Sequence, residues 1–321
     1  MPVSLKKIAV LADVSIATVC LALQDDARVA AATRRRLRAL ADQLGYVPSN
    51  LGRALQSGRS RLAGYLIHTV NQSYFNDILQ GLGRAAAAAN YGLLVAIPDG
   101  SAAQDKRELR LLKEKNIDGL IVSMSHANTL PALLELDRRG VPVVFCSDEF
   151  SPPDATTTVT NDDFCGGGMA VEHLAARGCR RIAYAFNLKP IEQRFAGCQD
   201  AAQRLGIPPL IRCASETALA AFLRASDGKH PLGIVAYYDL DAIRALRVAR
   251  QLKLRIPQQV KLVGCDDSLL AALPEFDLSS VAPQKQEIGA MAFALLQQRL
   301  DGQTPAPCLL PPTLVTRGSS A

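Results

Sequence analysis

The sequence predicts an α/β protein in two parts, a small head of three helices of helix-turn-helix type followed by a two-lobed core built on parallel sheets. Three observations carry this reading. Apolar residues recur at helical spacing over residues 5–44, with polar breaks between the runs. Strand-like apolar runs then alternate with amphipathic helices as far as residue 265, and the alternation occurs in two successive halves.

Ser4 is a natural N-cap for a first helix, in which Leu5, Ile8, Ala9 and Ala12 fall at i, i+3, i+4 and i+7. Ser15 caps a second, from Ile16 to about Gln24, after the short turn Asp13-Val14. Two short helices joined this closely suggest helix-turn-helix. Beyond Gln24-Asp25-Asp26, Thr33 is expected to cap a third helix. Its apolar stripe is Leu37, Leu40, Ala41 and Leu44, Gly45 stops it, and its other face carries Arg34, Arg35, Arg36 and Arg38.

The net charge of +6 is unevenly spread. Met1 to Arg61 hold ten basic and four acidic residues, whereas the remaining 26 of each sign cancel. Positive charge confined to the head is what a nucleic-acid-binding module on a neutral body needs, although a solvated basic face gives the same count. Eight scattered cysteines form no CxxC pair, and no histidine stands at metal-ligand spacing, so neither a metal nor a cofactor is expected. No apolar run approaches the roughly 18 residues of a membrane span, and the N-terminus turns at once into a charged, periodic segment. The expected location is the cytoplasm, away from any membrane.

Here the sequence resembles the LacI/GalR family of bacterial repressors. The match runs through Leu5-Lys6-Lys7-Ile8-Ala9, Val14-Ser15-Ile16-Ala17-Thr18-Val19, Leu44-Gly45-Tyr46-Val47-Pro48 and Leu51-Gly52-Arg53-Ala54-Leu55. The resemblance implies a ligand-controlled transcription regulator, a repressor in the first instance, that reads double-stranded, pseudo-palindromic operator DNA as a homodimer. Ile16, Ala17, Cys20 and Leu21 then lie where the family reads bases. Leu55 matches the hinge leucine that wedges into the minor groove. Lys6, Arg34, Arg53 and Arg59 are expected to contact phosphates. Cys20-Leu21 departs from the family's usual Ser-Arg. A bidentate guanine contact is thereby replaced by an apolar side chain suited to a thymine methyl, so a different operator is expected.

In the remaining chain, strands are expected at Leu62–His68, Leu93–Ile97, Gly119–Ser123, Pro142–Cys146, Arg181–Phe186, Leu232–Tyr237 and Lys261–Cys265. Helices are expected near Phe75–Asn90, Gln104–Lys115, Leu130–Arg139, Cys165–Arg177, Glu192–Leu205, Ala218–Ala225 and Asp239–Leu252. Two such halves are the architecture of periplasmic sugar-binding proteins, with a ligand between the lobes at the carboxyl ends of strands. The resemblance continues through Ser73-Tyr74-Phe75, Ile117-Asp118-Gly119, Asn161-Asp162, Arg194 to Gly197 and Val263-Gly264-Cys265-Asp266-Asp267.

A sugar or nucleoside in such a cleft needs carboxylates and a guanidinium to bracket its hydroxyls and an aromatic face to stack on. On the family pattern Asp148, Arg194 and Asp266 are the polar clamps, and Tyr74 and Phe75 the aromatic wall. Tyr238 stands where the family typically has an asparagine, which suggests a smaller pocket, one that stacks its ligand, or one that takes something other than a simple hexose. Each has a plainer alternative as a turn cap, an exposed helix residue or core. His126, His173 and His230 have no companion ligands and read as structural.

Residues 1–47 are read as the helix-turn-helix domain, 48–60 as the hinge, and 61–321 as the core for ligand binding and dimerisation. Within the core, the first lobe comprises about 61–160 plus 283–308, and the second about 161–282 plus 309–321. Motifs for nucleophilic, nucleotide-hydrolysing or metalloprotease chemistry are missing, so no catalytic residue is expected. The run Gly166-Gly167-Gly168 could hold an anion at a helix start or form an inter-lobe turn. The competing reading of the whole is a periplasmic-type transport binding protein without DNA function.

Overall fold

The computed structural model describes residues 3–46, 58–67, 69–71, 73–98, 101–123, 129–147, 157–186, 192–226 and 228–321, in two compact units, Met1–Ser60 and Arg61–Ala321.

In the first unit α1 (Leu5–Ala12), α2 (Ile16–Leu23) and α3 (Ala31–Gln43) enclose one small core of Ile8, Ala9, Ala12, Val19, Ala22, Val29, Leu37 and Ala41. Ser4 accepts from the Lys7 amide, and Ser15 from the Thr18 amide at 3.0 Å, so both serines act as the sequence suggests. Helix α3 differs. It begins at Ala31 with no side-chain cap, and Thr33 lies in its first turn. Buried Val29 draws the preceding chain onto the core, and the Arg34 amide already reaches the Ala30 carbonyl at 3.0 Å, which closes a turn earlier than Thr33 could. At the far end Gly45, at φ 65°, lets the Tyr46 amide return to the Ala41 carbonyl at 2.9 Å and ends the helix.

The second unit holds two six-stranded sheets. The first combines β1 (Leu62–Ile67), β2 (Gly92–Ala96), β3 (Gly119–Ser123), β4 (Val143–Cys146), β5 (Thr158–Asn161) and β11 (Cys308–Leu310), in the order β11-β5-β4-β3-β1-β2, all parallel. The second combines β6 (Arg181–Ala185), β7 (Ile211–Cys213), β8 (Leu232–Ala236), β9 (Val260–Cys265), β10 (Ser279–Ala282) and β12 (Thr313–Val315), in the order β12-β10-β9-β8-β6-β7, with only β12 antiparallel. Around them lie α4 (Ser73–Ala88), α5 (Ala102–Glu114), α6 (Leu130–Arg138), α7 (Asp163–Ala176), α8 (Gln193–Arg204), α9 (Glu216–Arg224), α10 (Asp239–Gln251) and α11 (Lys285–Leu300). The seven strands and seven core helices read from the sequence are all present within a few residues. Strands β5, β7, β10, β11 and β12 and helix α11 had not been read.

Helix α11 buries Ile288, Gly289, Ala292, Phe293, Leu295 and Leu296 because it packs both on α4 and on the first sheet. Burial on more than one side leaves no clean stripe to read. Two helix pairs cross with their backbones in contact, and glycine makes this possible. A Cβ on Gly81 would lie 1.9 Å from the Gln286 carbonyl oxygen, and one on Gly289 2.1 Å from that of Ile78, where α4 meets α11. Where α7 meets α8, a Cβ on Gly167 would lie 2.0 Å from the Arg194 oxygen and one on Gly197 1.9 Å from that of Phe164. The run Gly166-Gly167-Gly168 therefore lies inside α7 and serves close packing. It is neither an inter-lobe turn nor the start of a helix. Among the described residues no helix is long and apolar enough to cross a membrane.

Candidate ligand cleft and nucleic-acid interface

The ends of the parallel strands set out the cleft. Arg194, the second residue of α8, is 6% exposed. Its guanidinium pairs with Asp163 Oδ1 at 2.9 Å, donates to the Tyr237 carbonyl and lies 5.2 Å from the Tyr237 ring centre. Asp163, the first residue of α7, also accepts from Asn161 Nδ2 at 2.8 Å, which fixes the carboxylate that fixes the arginine. Among the described residues the buried Arg194 Nε finds no hydrogen-bond partner.

Asp266 follows β9 directly, with φ at 102°, and Asp267 after it has φ 45°. Burial pushes the Asp266 carboxyl up to about 8, with Arg194 opposing and Asp239 adding to the shift. Near neutrality this acid is mostly protonated, so it can both donate to and accept from a hydroxyl. Asp239, buried at the start of α10, accepts from Ser280 Oγ and from the Ser268 amide, each at 2.6 Å, and thereby ties α10 to the loop after β9.

Across from these groups stands Tyr74 of α4, its hydroxyl 2.9 Å from Ser147 Oγ just past β4. Burial raises the Tyr74 phenol well above its ordinary value, and the charges of Asp266 and Asp163 raise it further, which brings the two lobes into one electrostatic site. Tyr238 occupies the N-cap position of α10 without a side-chain cap bond, and its ring centre is 4.1 Å from that of Tyr237.

The structure thus brings Tyr74, Arg194, Tyr238 and Asp266 to the strand ends. It puts Phe75 elsewhere: this residue is 3% exposed in the core of the first lobe, edge-on to Tyr74 at 5.2 Å, and supports the wall from behind. The α4 periodicity explains the difference, since Phe75 shares its inward face with Ile78 and Leu82. Asp148 lies outside the described residues. Asp163, Ser147, Tyr237 and Lys285 had not been singled out. The acidic start of α7, Asp162-Asp163, was the one visible signal for any of them.

In the head, Ile16 is 48% exposed and Ala17 is exposed at the first turn of α2, whereas Cys20 and Leu21 are half-buried. Leu21 also packs against the head's own core. Lys6 is exposed. Arg34 pairs with Asp25 at 3.1 Å and donates to the Asp26 carbonyl at 2.9 Å, so its guanidinium holds the turn ahead of α3. Arg38 shares Asp25 at 3.1 Å, and Arg36 donates to the Ala12 carbonyl at 3.0 Å. Arg59 is half-buried, and Arg53 and Leu55 lie outside the described residues.

Residues 4–49 match the model of bacterial regulatory proteins of the lacI family, and residues 171–320 that of a periplasmic binding protein-like domain, together more than half of the chain. The transcriptional repressor CytR of Escherichia coli is 28% identical over 312 residues, 94% of this chain and 90% of that protein. The ribose operon repressor of the same organism is 26% identical, with 99% of both chains covered. Among solved structures, the lac repressor dimer bound to operator and an anti-inducer shares the fold with a TM-score of 0.83, at 22% identity over 100% of this chain and 99% of that one. The regulator CelR in complex with cellobiose gives a TM-score of 0.68 at 25% identity, with 99% of both chains covered. With a regulator's helix-turn-helix in front, a binding-protein core behind and repressors matched nearly end to end, the chain belongs to the lacI family of bacterial regulatory proteins.

Proposed function

We propose that this protein is a transcription repressor whose affinity for operator DNA is set by a small neutral ligand, a sugar or nucleoside, held between the lobes of the core. The observation that carries it is the convergence of Tyr74 from one lobe with Asp266 and the Arg194–Asp163 pair from the other. Phenol, carboxylic acid and guanidinium are the groups that bracket hydroxyls, and the adjoining tyrosines supply a stacking face. The cellobiose complex of CelR and the ribose operon repressor support a sugar-like ligand. No catalytic step belongs to this reading.

On the DNA side, Ile16, Ala17, Cys20 and Leu21 read bases, Leu55 is the minor-groove wedge, and Lys6, Arg53 and Arg59 contact phosphate. Arg34 is a weaker candidate, because reaching phosphate costs its tie to Asp25. One helix-turn-helix reads only a few base pairs, so the active form is a homodimer on a pseudo-palindrome, working in the cytoplasm.

The experiment is selection of binding sites from random DNA by the purified protein, repeated with a panel of sugars and nucleosides. A pseudo-palindrome whose occupancy changes with one compound is the expected result. Failure to enrich any site, at low salt and with every compound, overturns the proposal. Leu21→Arg is expected to change the selected half-site, and an unchanged site would remove Leu21 from base reading. Leu55→Ala should weaken operator binding far more than binding to random DNA, and equal losses would remove the wedge.

A further inference from the structure

The loop after β9 carries the cleft's carboxylic acid on two successive residues in the left-handed region, Asp266 at φ 102° and Asp267 at φ 45°. Residues other than glycine keep such a backbone only where their surroundings over-determine it. Three restraints come from the same lobe. The Asp266 amide donates to the Val281 carbonyl at 3.0 Å, the Asp267 amide donates to Ser280 Oγ at 3.0 Å, and Arg317 pairs with the Asp267 carboxylate at 2.7 Å. The fourth restraint crosses from the other lobe.

Lys285 opens α11, which packs on α4 and the first sheet. Its ammonium donates to the Asp266 carbonyl at 2.7 Å, to the Asp267 carbonyl at 3.3 Å and to Asp77 Oδ2 at 2.9 Å. An ammonium has three N–H donors, so this one is fully committed. Only 11% of its side chain is exposed, which limits competition from water. Asp77 lies on α4 three residues after Tyr74, and residues at that spacing share a helix face. One lysine thus joins the backbone beneath the cleft's acid to the helix that carries the cleft's phenol.

We propose that Lys285 is a positioning residue that holds Asp266 in place for the ligand and couples that loop to the N-terminal part of α4 through Asp77. A ligand that draws on the Asp266 carboxyl displaces the carbonyl of the same residue. Lys285 follows, and Asp77 moves with α4 or is released. Coupling of this kind is reciprocal, so anything that shifts α4 also alters the set of Asp266. The inference rests on the cleft being the ligand site, but its test needs no ligand and can fail independently of the DNA-selection experiment.

The test is amide hydrogen exchange on the unliganded full-length protein and on Asp77→Asn, Lys285→Met and the double variant. Asp77 pairs with Lys285 and belongs to the other lobe. Asp77→Asn is nevertheless expected to speed exchange of the Asp266, Asp267 and Ala271 amides about tenfold, the effect of losing one charge-assisted hydrogen bond, while the amides of β8 are unchanged. Lys285→Met should speed the same amides at least as much, and the double variant no more than Lys285→Met alone. Unchanged loop exchange in Asp77→Asn, additive effects in the double variant, or a uniform rise that includes β8 would each overturn the proposal. Asp77→Asn, at a half-exposed helix position, is the deciding variant should Lys285→Met fail to fold.

Discussion

The α4–α11 crossing in the first lobe and the α7–α8 crossing in the second meet the same steric demand with different consequences for the cleft. In both, two helices approach until a methyl group on the facing glycines would lie about 2 Å from a backbone oxygen, a distance that no relaxation of a flexible side chain relieves. In both, one of those oxygens belongs to the first turn of a helix that delivers a cation: Gln286 beside Lys285 in one lobe, and Arg194 itself in the other. The second crossing therefore acts directly on a proposed ligand group, and the first acts one residue away. Glycines that serve helix packing thereby set the position of the cleft's charges.

The largest effects should come from filling these contacts. Gly81→Ala and Gly167→Ala are each expected to destabilise the protein by about 3 kcal/mol or more, the upper range for overpacking, because the obstacle is main chain. Urea unfolding measures both. A loss under about 1 kcal/mol for either would show that its crossing opens at little cost, and the two lobes would then not be equivalent.

Next in size is the ion pair at the second crossing. Arg194→Met leaves Asp163 without its guanidinium partner. A fully buried pair broken in this way costs about 3–5 kcal/mol. Asp163 is 38% exposed and keeps its bond from Asn161, so about 2 kcal/mol is the expected loss after screening. A change near zero would mean that the pair is not formed in solution.

The alternation of strands and helices, the caps at Ser4 and Ser15 and the Gly45 stop were legible because they depend on neighbours in sequence. Helix α11 was not, since burial against both α4 and the sheet erases its periodicity, and the strands Ile211–Cys213, Cys308–Leu310 and Thr313–Val315 are too short to show a pattern. In the cleft, Arg194 and Asp266 were named through resemblance. Asp163 and Lys285 owe their roles to partners in other elements, 31 residues away for Arg194–Asp163, and no local pattern announces such pairings. The triple glycine shows the reverse failure: a conspicuous motif suggested an anion site or a turn, while its physical reason, the Arg194 carbonyl, was invisible.

A further effect separates the two sides of the cleft by pH. Burial raises Asp266 in the folded protein to about 8, against an unfolded value near 3.9. The folded state therefore binds the proton more tightly. Its stabilising contribution is complete below about pH 4 and is lost as pH rises through 8. Asp266→Asn removes this dependence, so the variant should gain stability relative to the parent between pH 5 and pH 8, and thermal unfolding at both values measures it. A constant difference would mean that Asp266 titrates near its unfolded value. Tyr74, whose phenol is displaced away from neutrality, contributes nothing in this window.

The smallest effect concerns Tyr238. Helix α7 is capped by Asp162, which accepts from the Cys165 amide at 2.9 Å, and α9 by Ser215, which accepts from the Ala218 amide at 3.1 Å. Helix α10 starts at Tyr238 with no such bond. Asparagine at this position supplies a side-chain oxygen for the first-turn amides, a gain of about 1 kcal/mol. It also removes the ring that lies tilted at 51° against Tyr237, centres 4.1 Å apart, a contact worth about 0.5–1.5 kcal/mol. The two nearly cancel, so Tyr238→Asn is expected to change the unfolding free energy by less than about 1 kcal/mol in either direction. On the proposed reading, a phenol at a helix start where an asparagine would be no less stable serves the cleft. Tyr238→Asn should then shift the preference among sugars and nucleosides while leaving operator affinity without ligand unchanged. A stability loss beyond about 1.5 kcal/mol would instead make Tyr238 a packing residue, with its ring contact to Tyr237 holding the β8–α10 corner together.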